Sequence, residues 1–305
     1  MSLHPQADRL LVELRQSVPL ERRNLHEVRA AQQTPAAVLE PVAEVLHLEA
    51  DHIPVRLYRP TSSATLGLLV YFHGGGWLAG SLDTHDDACR RLANAAGMAV
   101  LSVGYRLAPE DPFPAAVNDA LAMTRWAYEH AEELGCRPDF VGVAGDSAGG
   151  NLAAVVAQRS ALPLSLQLLV CPILDCGRSM PSHRLFAADY FLTSATLTWF
   201  IEQYLSAGGS VTDPDVSPLV APNERLRTSP PALIITAQFD PLHDEGQAYA
   251  SRLNAVGVSA THVCFGGNFH GFWSFAHRLG DGALAIALAG AWARQLIEQH
   301  DRSAS

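Results

Sequence analysis

The chain has 305 residues with 21 basic and 31 acidic side chains, a net charge of −10, and every one of the basic residues is arginine. With no lysine, the chain cannot build a P-loop, a Schiff-base or pyridoxal site, or a serine–lysine hydrolase. The acidic balance speaks against non-specific nucleic-acid binding, and 48% hydrophobic with 17% charged residues describes a folded globular chain.

The elements follow in chain order. Leu10, Leu11, Leu14 and Val18 recur at helical spacing, Pro19 breaks the run, and Leu25 and Val28 resume it. Asp8, Arg9, Glu13 and Arg15 interrupt 1–20, so no secretory apolar core is read there and a cytoplasmic location is expected. Pro35 and Pro41 mark a loop. From Val45 the apolar period becomes two, with Asp51-His52 as the turn of a hairpin. Apolar runs then fall at 66–72, 98–103, 140–144, 166–170, 233–236 and 260–265. Helical stretches lie between or after them at 86–96, 115–134, 148–160, 245–256 and 283–299. Strands alternating with helices predict a mostly parallel central sheet of about eight strands, with the leading hairpin as its antiparallel edge. The segment 173–226 breaks the alternation, carrying several turn formers and one helix near 196–205, and reads as an insertion. The apolar stretch 282–293 is too short to span a bilayer. Five cysteines without paired short spacings are expected as free thiols.

Two motifs carry chemistry. Gly145-Asp146-Ser147-Ala148-Gly149 follows the strand 140–144 and opens a helix. In that context the serine sits on a sharp turn above the sheet, with helix N–H groups beneath it. A tight glycine packing turn is the competing assignment. His73-Gly74-Gly75-Gly76-Trp77 follows the strand 66–72, and its glycines can turn N–H groups toward an oxyanion, joined by the N–H of Ala148. Gly74-x-Gly76-x-x-Ala79 also fits a dinucleotide loop. That reading needs an acid after the next strand, where Gly104-Tyr105-Arg106 stands. His73 reads as an architectural hydrogen-bonder of the loop.

A serine needs a base and the base an orienting acid, both beyond the carboxyl ends of the strands. Asp240, in Asp240-Pro241-Leu242, and His270, in Asn268-Phe269-His270-Gly271-Phe272, occupy such positions, and the order Ser147, Asp240, His270 is that of α/β hydrolases. Asp175 is the alternative acid. Asp244 reads as a helix N-terminal acid, and His243, His262 and His277 read as structural or exposed. Trp77, Tyr190, Leu192, Trp199, Phe239 and Phe269 are candidate pocket walls, with core packing as the competing role. Arg106 is placed to brace acidic neighbours.

Together the His73–Trp77 loop, the Tyr105-Arg106-Leu107-Ala108-Pro109-Glu110 stretch, Gly145–Gly150, Asp240-Pro241-Leu242 and His270-Gly271-Phe272 resemble the hormone-sensitive-lipase-like esterases of the α/β-hydrolase superfamily. The resemblance implies the triad Ser147, Asp240 and His270 and an oxyanion hole at Gly75, Gly76 and Ala148. It further implies a cap made of 1–44 and 173–226 over a catalytic core of 45–172 and 227–305. Hydrolysis of small, apolar short- to medium-chain esters through an acyl-enzyme would need no metal or organic cofactor. The expected partner is a small-molecule ester, with no nucleic acid and no membrane span. A homodimer through the sheet edge also fits the family. The rival readings are an amide- or carbamate-cleaving hydrolase on the same triad, an interfacial lipase, and a non-catalytic binding module. An interfacial lipase would want an exposed apolar lid, whereas Glu202 and Gln203 lie beside Trp199 and Phe200; His270 counts against the binding module.

Overall fold

The computed structural model describes residues 2–32, 39–62 and 65–304. Eight strands form one sheet: β1 (Glu44–Ala50), β2 (Ile53–Arg59), β3 (Leu66–Phe72), β4 (Ala99–Val103), β5 (Cys136–Asp146), β6 (Gln167–Val170), β7 (Ala232–Phe239) and β8 (Ala260–Phe269). Their spatial order is β1-β2-β4-β3-β5-β6-β7-β8. The pairs β1/β2 and β2/β4 are antiparallel and all others parallel, so the hairpin is the antiparallel edge expected for it. Asp51 and His52 both take positive φ, 48° and 67°, as a two-residue hairpin turn matching the strand twist demands.

The helices are α1 (Pro5–Arg15), α2 (Leu25–Gln32), α3 (Asp86–Ala96), α4 (Ala115–Glu129), α5 (Ala148–Arg159), α6 (Ser182–Leu185), α7 (Ser194–Tyr204), α8 (Asn223–Leu226), α9 (His243–Ala255) and α10 (Gly280–Ala304). The loop expected at Pro35 lies outside the described residues. Helix α4 stops at Glu129, five residues short of the pattern-based end. The chain then turns through Gly135, at φ 67°, to enter β5. The insertion 173–226 carries three short helices and a 3-10 turn rather than one helix. Its α6 and α8 are too short for a periodic pattern to reveal them.

Every residue of β3 is buried, as a central parallel strand covered on both faces must be. Leu68, Val70 and Phe72 join one core cluster with residues of α4, α5 and α9, and Leu69 and Tyr71 join the other with α1, α3 and α10. The insertion contributes Leu197, Phe200, Ile201 and Tyr204 to the first cluster, so it is packed into the domain rather than hung from it. The five cysteines are free thiols, four of them buried. Among the described residues no helix is long and apolar enough to cross a membrane.

Candidate active site

The carboxyl ends of the parallel strands converge on Ser147. It links β5 to α5 with φ 55° and ψ −119°, a conformation that L side chains rarely adopt. Neighbouring backbone holds it there: its N–H donates to the Val170 carbonyl at 2.8 Å, and its carbonyl accepts from Asn151 and Ile173. The flanking glycines are steric requirements. A Cβ on Gly145 would lie 2.3 Å from the Gly149 carbonyl oxygen, and one on Gly149 would lie 1.9 Å from that of Phe72.

His270 follows β8, and its Nε2 lies 3.0 Å from the Ser147 Oγ. Its Nδ1 lies 2.8 Å from Asp240 Oδ2, just past β7. The other Asp240 oxygen accepts from the Leu242 N–H at 2.9 Å, which fixes the carboxylate plane. Asp240 is fully buried and His270 nearly so. Burial pulls the His270 imidazole down, but the adjoining Asp240 carboxylate outweighs it, so its pKa is raised above 6.5. The three residues singled out from sequence therefore meet in one hydrogen-bonded line. Asp175, the alternative acid, is engaged elsewhere: it accepts from the N–H groups of Gly177 and Ser179 and from the Ser179 hydroxyl.

The glycine loop packs alongside. Gly75 and Gly76 have φ of 125° and 63°, and a Cβ on Gly76 would strike the Phe200 ring of the insertion at 2.3 Å. The Gly74 N–H is engaged by Asp146 Oδ1 at 3.0 Å. Among the described residues no acceptor lies on the N–H groups of Gly75, Gly76 or Ala148. His73 does the architectural work read for it: its Nδ1 donates to the Gly74 carbonyl, its ring stacks on Tyr105 at 4.4 Å, and the Tyr105 hydroxyl donates to the His73 carbonyl. Burial lowers its pKa to about 4, so it stays neutral. Arg106 grips the buried Asp119 through its backbone N–H and its guanidinium, at 2.6 to 3.1 Å.

The candidate wall residues fall in different surroundings. Trp77 is fully buried behind the glycine loop, stacked on Tyr204 at 4.2 Å. Tyr190 stacks on Phe239 at 5.1 Å, with Phe186 edge-on to both. Leu192 is buried in the core cluster that holds Phe200, and Trp199 is half-buried beside that ring. Phe269 is fully buried and 6.2 Å from Phe191, whose ring also lies against Gly271. Phe191 and Phe200 were not among the wall residues read from sequence, Phe200 entering only as a neighbour of Trp199. Their only signal was an aromatic run inside the insertion. Asp146, Tyr71 and His85, which meet beside the Gly74 N–H, were also missed: the first x of the G-x-S-x-G motif carries no pattern of its own, Tyr71 lies inside an apolar strand, and His85 lies in a loop.

Among the described residues, two buried clusters bring ligand-type atoms within 4.8 Å of one another: Cys171, Asp240 and His270, and Asp175, His183 and Glu245. In the first, Asp240 and His270 already bond each other. In the second, the Met180 N–H donates to His183 Nδ1 at 3.2 Å, which puts a neutral ring's proton on Nε2. That N–H nitrogen lies 3.2 Å from Glu245 Oε2, so the set does not present the three lone pairs a metal ion needs.

A mixed eight-stranded sheet with a hydroxyl, an imidazole and a carboxylate in line at its carboxyl edge defines the α/β-hydrolase class of enzyme. A family model of the alpha/beta hydrolase fold matches residues 69–274. The chain is 45% identical over 247 residues to a carboxylic ester hydrolase of Mycobacterium tuberculosis, LipN, a match covering 77% of this chain and 65% of that one. It is 43% identical to an ethyl acetate hydrolase of Pseudomonas putida, over 72% of this chain and 71% of the relative. An ester hydrolase from the metagenome of Lake Arreo, solved with a bipyridine phosphonate derivative, superposes with a TM-score of 0.91 at 38% identity, covering 97% of this chain and 99% of that one. The chain belongs to the α/β-hydrolase family, in its hormone-sensitive-lipase-like esterase branch.

Proposed function

We propose that this protein is a serine carboxylesterase acting on small, apolar short- to medium-chain acyl esters. The observation that carries the reading is the line from Ser147 Oγ through His270 to Asp240, at 3.0 and 2.8 Å, beside three N–H groups without described acceptors. His270 takes the hydroxyl proton as Ser147 attacks the ester carbonyl, and Asp240 holds the imidazole tautomer and stabilises its cation. The N–H groups of Gly75, Gly76 and Ala148 receive the oxyanion, each contributing about 3 kcal/mol to lowering the barrier. His270 then protonates the leaving alcohol, and water repeats the sequence on the acyl-enzyme. The aromatic side chains of the insertion, with the N-terminal helices α1 and α2, serve as the cap that keeps water from the acyl group. The kinship with the ethyl acetate hydrolase of Pseudomonas putida supports a small ester as substrate.

Ser147→Ala removes the nucleophile while leaving its backbone in place. It is expected to abolish hydrolysis of nitrophenyl butyrate without a comparable fall in melting temperature. Turnover retained in that variant would overturn the assignment, and a rate profile from acetate upward measures the acyl length preferred.

A further inference from the structure

Asp146 stands between Gly145 and Ser147, and none of the chemistry above uses it. Its carboxylate is buried and meets polar groups from three separate elements. Oδ1 accepts from the Tyr71 hydroxyl of β3 at 2.7 Å and from the Gly74 N–H at 3.0 Å. Oδ2 lies 3.2 Å from Nε2 of His85, at the start of α3, and that nitrogen is a second acceptor for the Gly74 N–H, at 3.3 Å. Thr84 donates its hydroxyl to the Ser81 carbonyl and so accepts from His85 Nδ1, 2.8 Å away, which fixes the ring. Burial opposes the Asp146 charge, but His85 and the Tyr71 hydroxyl outweigh it and hold the carboxyl below the ordinary range. A charged carboxylate is the stronger acceptor.

We propose that Asp146 is a positioning residue for the oxyanion loop: it ties the Gly74 N–H to the strand that carries the nucleophile, so that the next two N–H groups stay aimed at the reacting carbonyl. The contact is close enough that a Cβ on Gly74 would lie 2.4 Å from Asp146 Oδ2, so the loop's first glycine is required by this carboxylate. Of the two acceptors on that N–H, Asp146 is the nearer and the one that belongs to the nucleophile's own turn, so it couples Ser147 to a glycine loop more than seventy residues away in sequence. The proposal rests on the serine-esterase reading, because it assigns the Gly75 and Gly76 N–H groups to an oxyanion.

The test uses the full chain, with active sites counted by complete labelling with a nitrophenyl phosphonate. In Asp146→Ala, kcat per labelled site on nitrophenyl butyrate should fall about 10²-fold, the scale of one lost oxyanion donor. KM should stay within about threefold, and a trifluoromethyl ketone should lose affinity by a factor close to the kcat loss. Asp146→Asn keeps an amide oxygen for Gly74 and should recover to within about tenfold of the wild type. A side chain needed only for folding would lower the labelled fraction and leave kcat per site unchanged. That result overturns the proposal, as does an Asn variant damaged as severely as the Ala variant. If Asp146→Ala gives no folded protein, Tyr71→Phe removes one anchor from the same carboxylate. It should lower kcat per site about fivefold at constant KM, the scale of one hydrogen bond, and an unchanged kcat there overturns the proposal. A wild type that takes no label refutes the serine reading itself; a labelled wild type with undamaged variants refutes the positioning role alone.

Discussion

Gly149→Ala is the sharpest steric perturbation available at this site. Gly149 lies in ordinary helical backbone, so the objection to a side chain is space rather than torsion. The added Cβ would sit 1.9 Å from the Phe72 carbonyl oxygen and 2.5 Å from that of His73, whereas ordinary contact begins at 3.4 Å. The shortfall is about 1.5 Å, and the obstacle is the backbone of a central strand, which cannot rotate away like a side chain. Either α5 or the start of the glycine loop must move, and each carries N–H groups assigned to the oxyanion. A 1 Å misplacement at a reacting centre lowers the rate about 10²-fold, so kcat/KM on nitrophenyl butyrate should fall by about that factor. Overpacking of this kind destabilises by about 1–3 kcal/mol and should lower the melting temperature by about 2–10 °C. Gly97→Ala is the control: Gly97 has φ 63° but no atom within 4 Å of its would-be Cβ. It should lose about 1 kcal/mol of stability, with kcat/KM unchanged. A Gly149→Ala enzyme within about threefold of wild-type kcat/KM would refute the argument that the turn and loop are in rigid contact.

Three further outcomes follow from the charges. His270 must be neutral to accept the serine proton, so kcat/KM should fall as pH drops through its pKa, with the midpoint above 6.5 because Asp240 outweighs burial. Asp240→Asn should lower kcat about 10⁴-fold and move that midpoint down, since burial is then opposed only by more distant carboxylates. A midpoint unmoved in a pH–rate series would contradict the pairing. Arg106→Met removes the guanidinium from the buried Asp119 carboxylate and leaves it the backbone N–H of residue 106. Because the arginine side chain is 50% exposed, the loss should be about 1–3 kcal/mol in a urea melt, and an unshifted midpoint would show that the pair contributes nothing.

Much of the sheet was legible because parallel strands buried on both faces leave continuous apolar runs: β3 was read with its observed bounds, and β4 to one residue. Elements fixed by something other than periodicity were read short or missed. β5 and β8 run longer than their apolar cores, since Arg137, Asp139 and Gly266 break the pattern while the ladder continues. The insertion's α6 is tied down by bonds to distant chain, Ser182 donating to the Pro241 carbonyl and accepting from Asp244, which no local window contains.

The sequence by itself determined the local geometry. Glycines on both sides of Ser147 and three in the loop after β3 have few alternatives, because the turns they form exclude a Cβ. Only the tertiary structure decided which of two acids faces His270, and it did so by engaging Asp175 with its own loop and leaving Asp240 free to bond the ring. It also decided that Phe200 closes over Gly76 and that Asp146 reaches Gly74. The reason is separation along the chain: His270 meets Ser147 across 123 residues, and such hydrogen bonds depend on where the sheet delivers its strand ends, which no run of neighbouring side chains encodes.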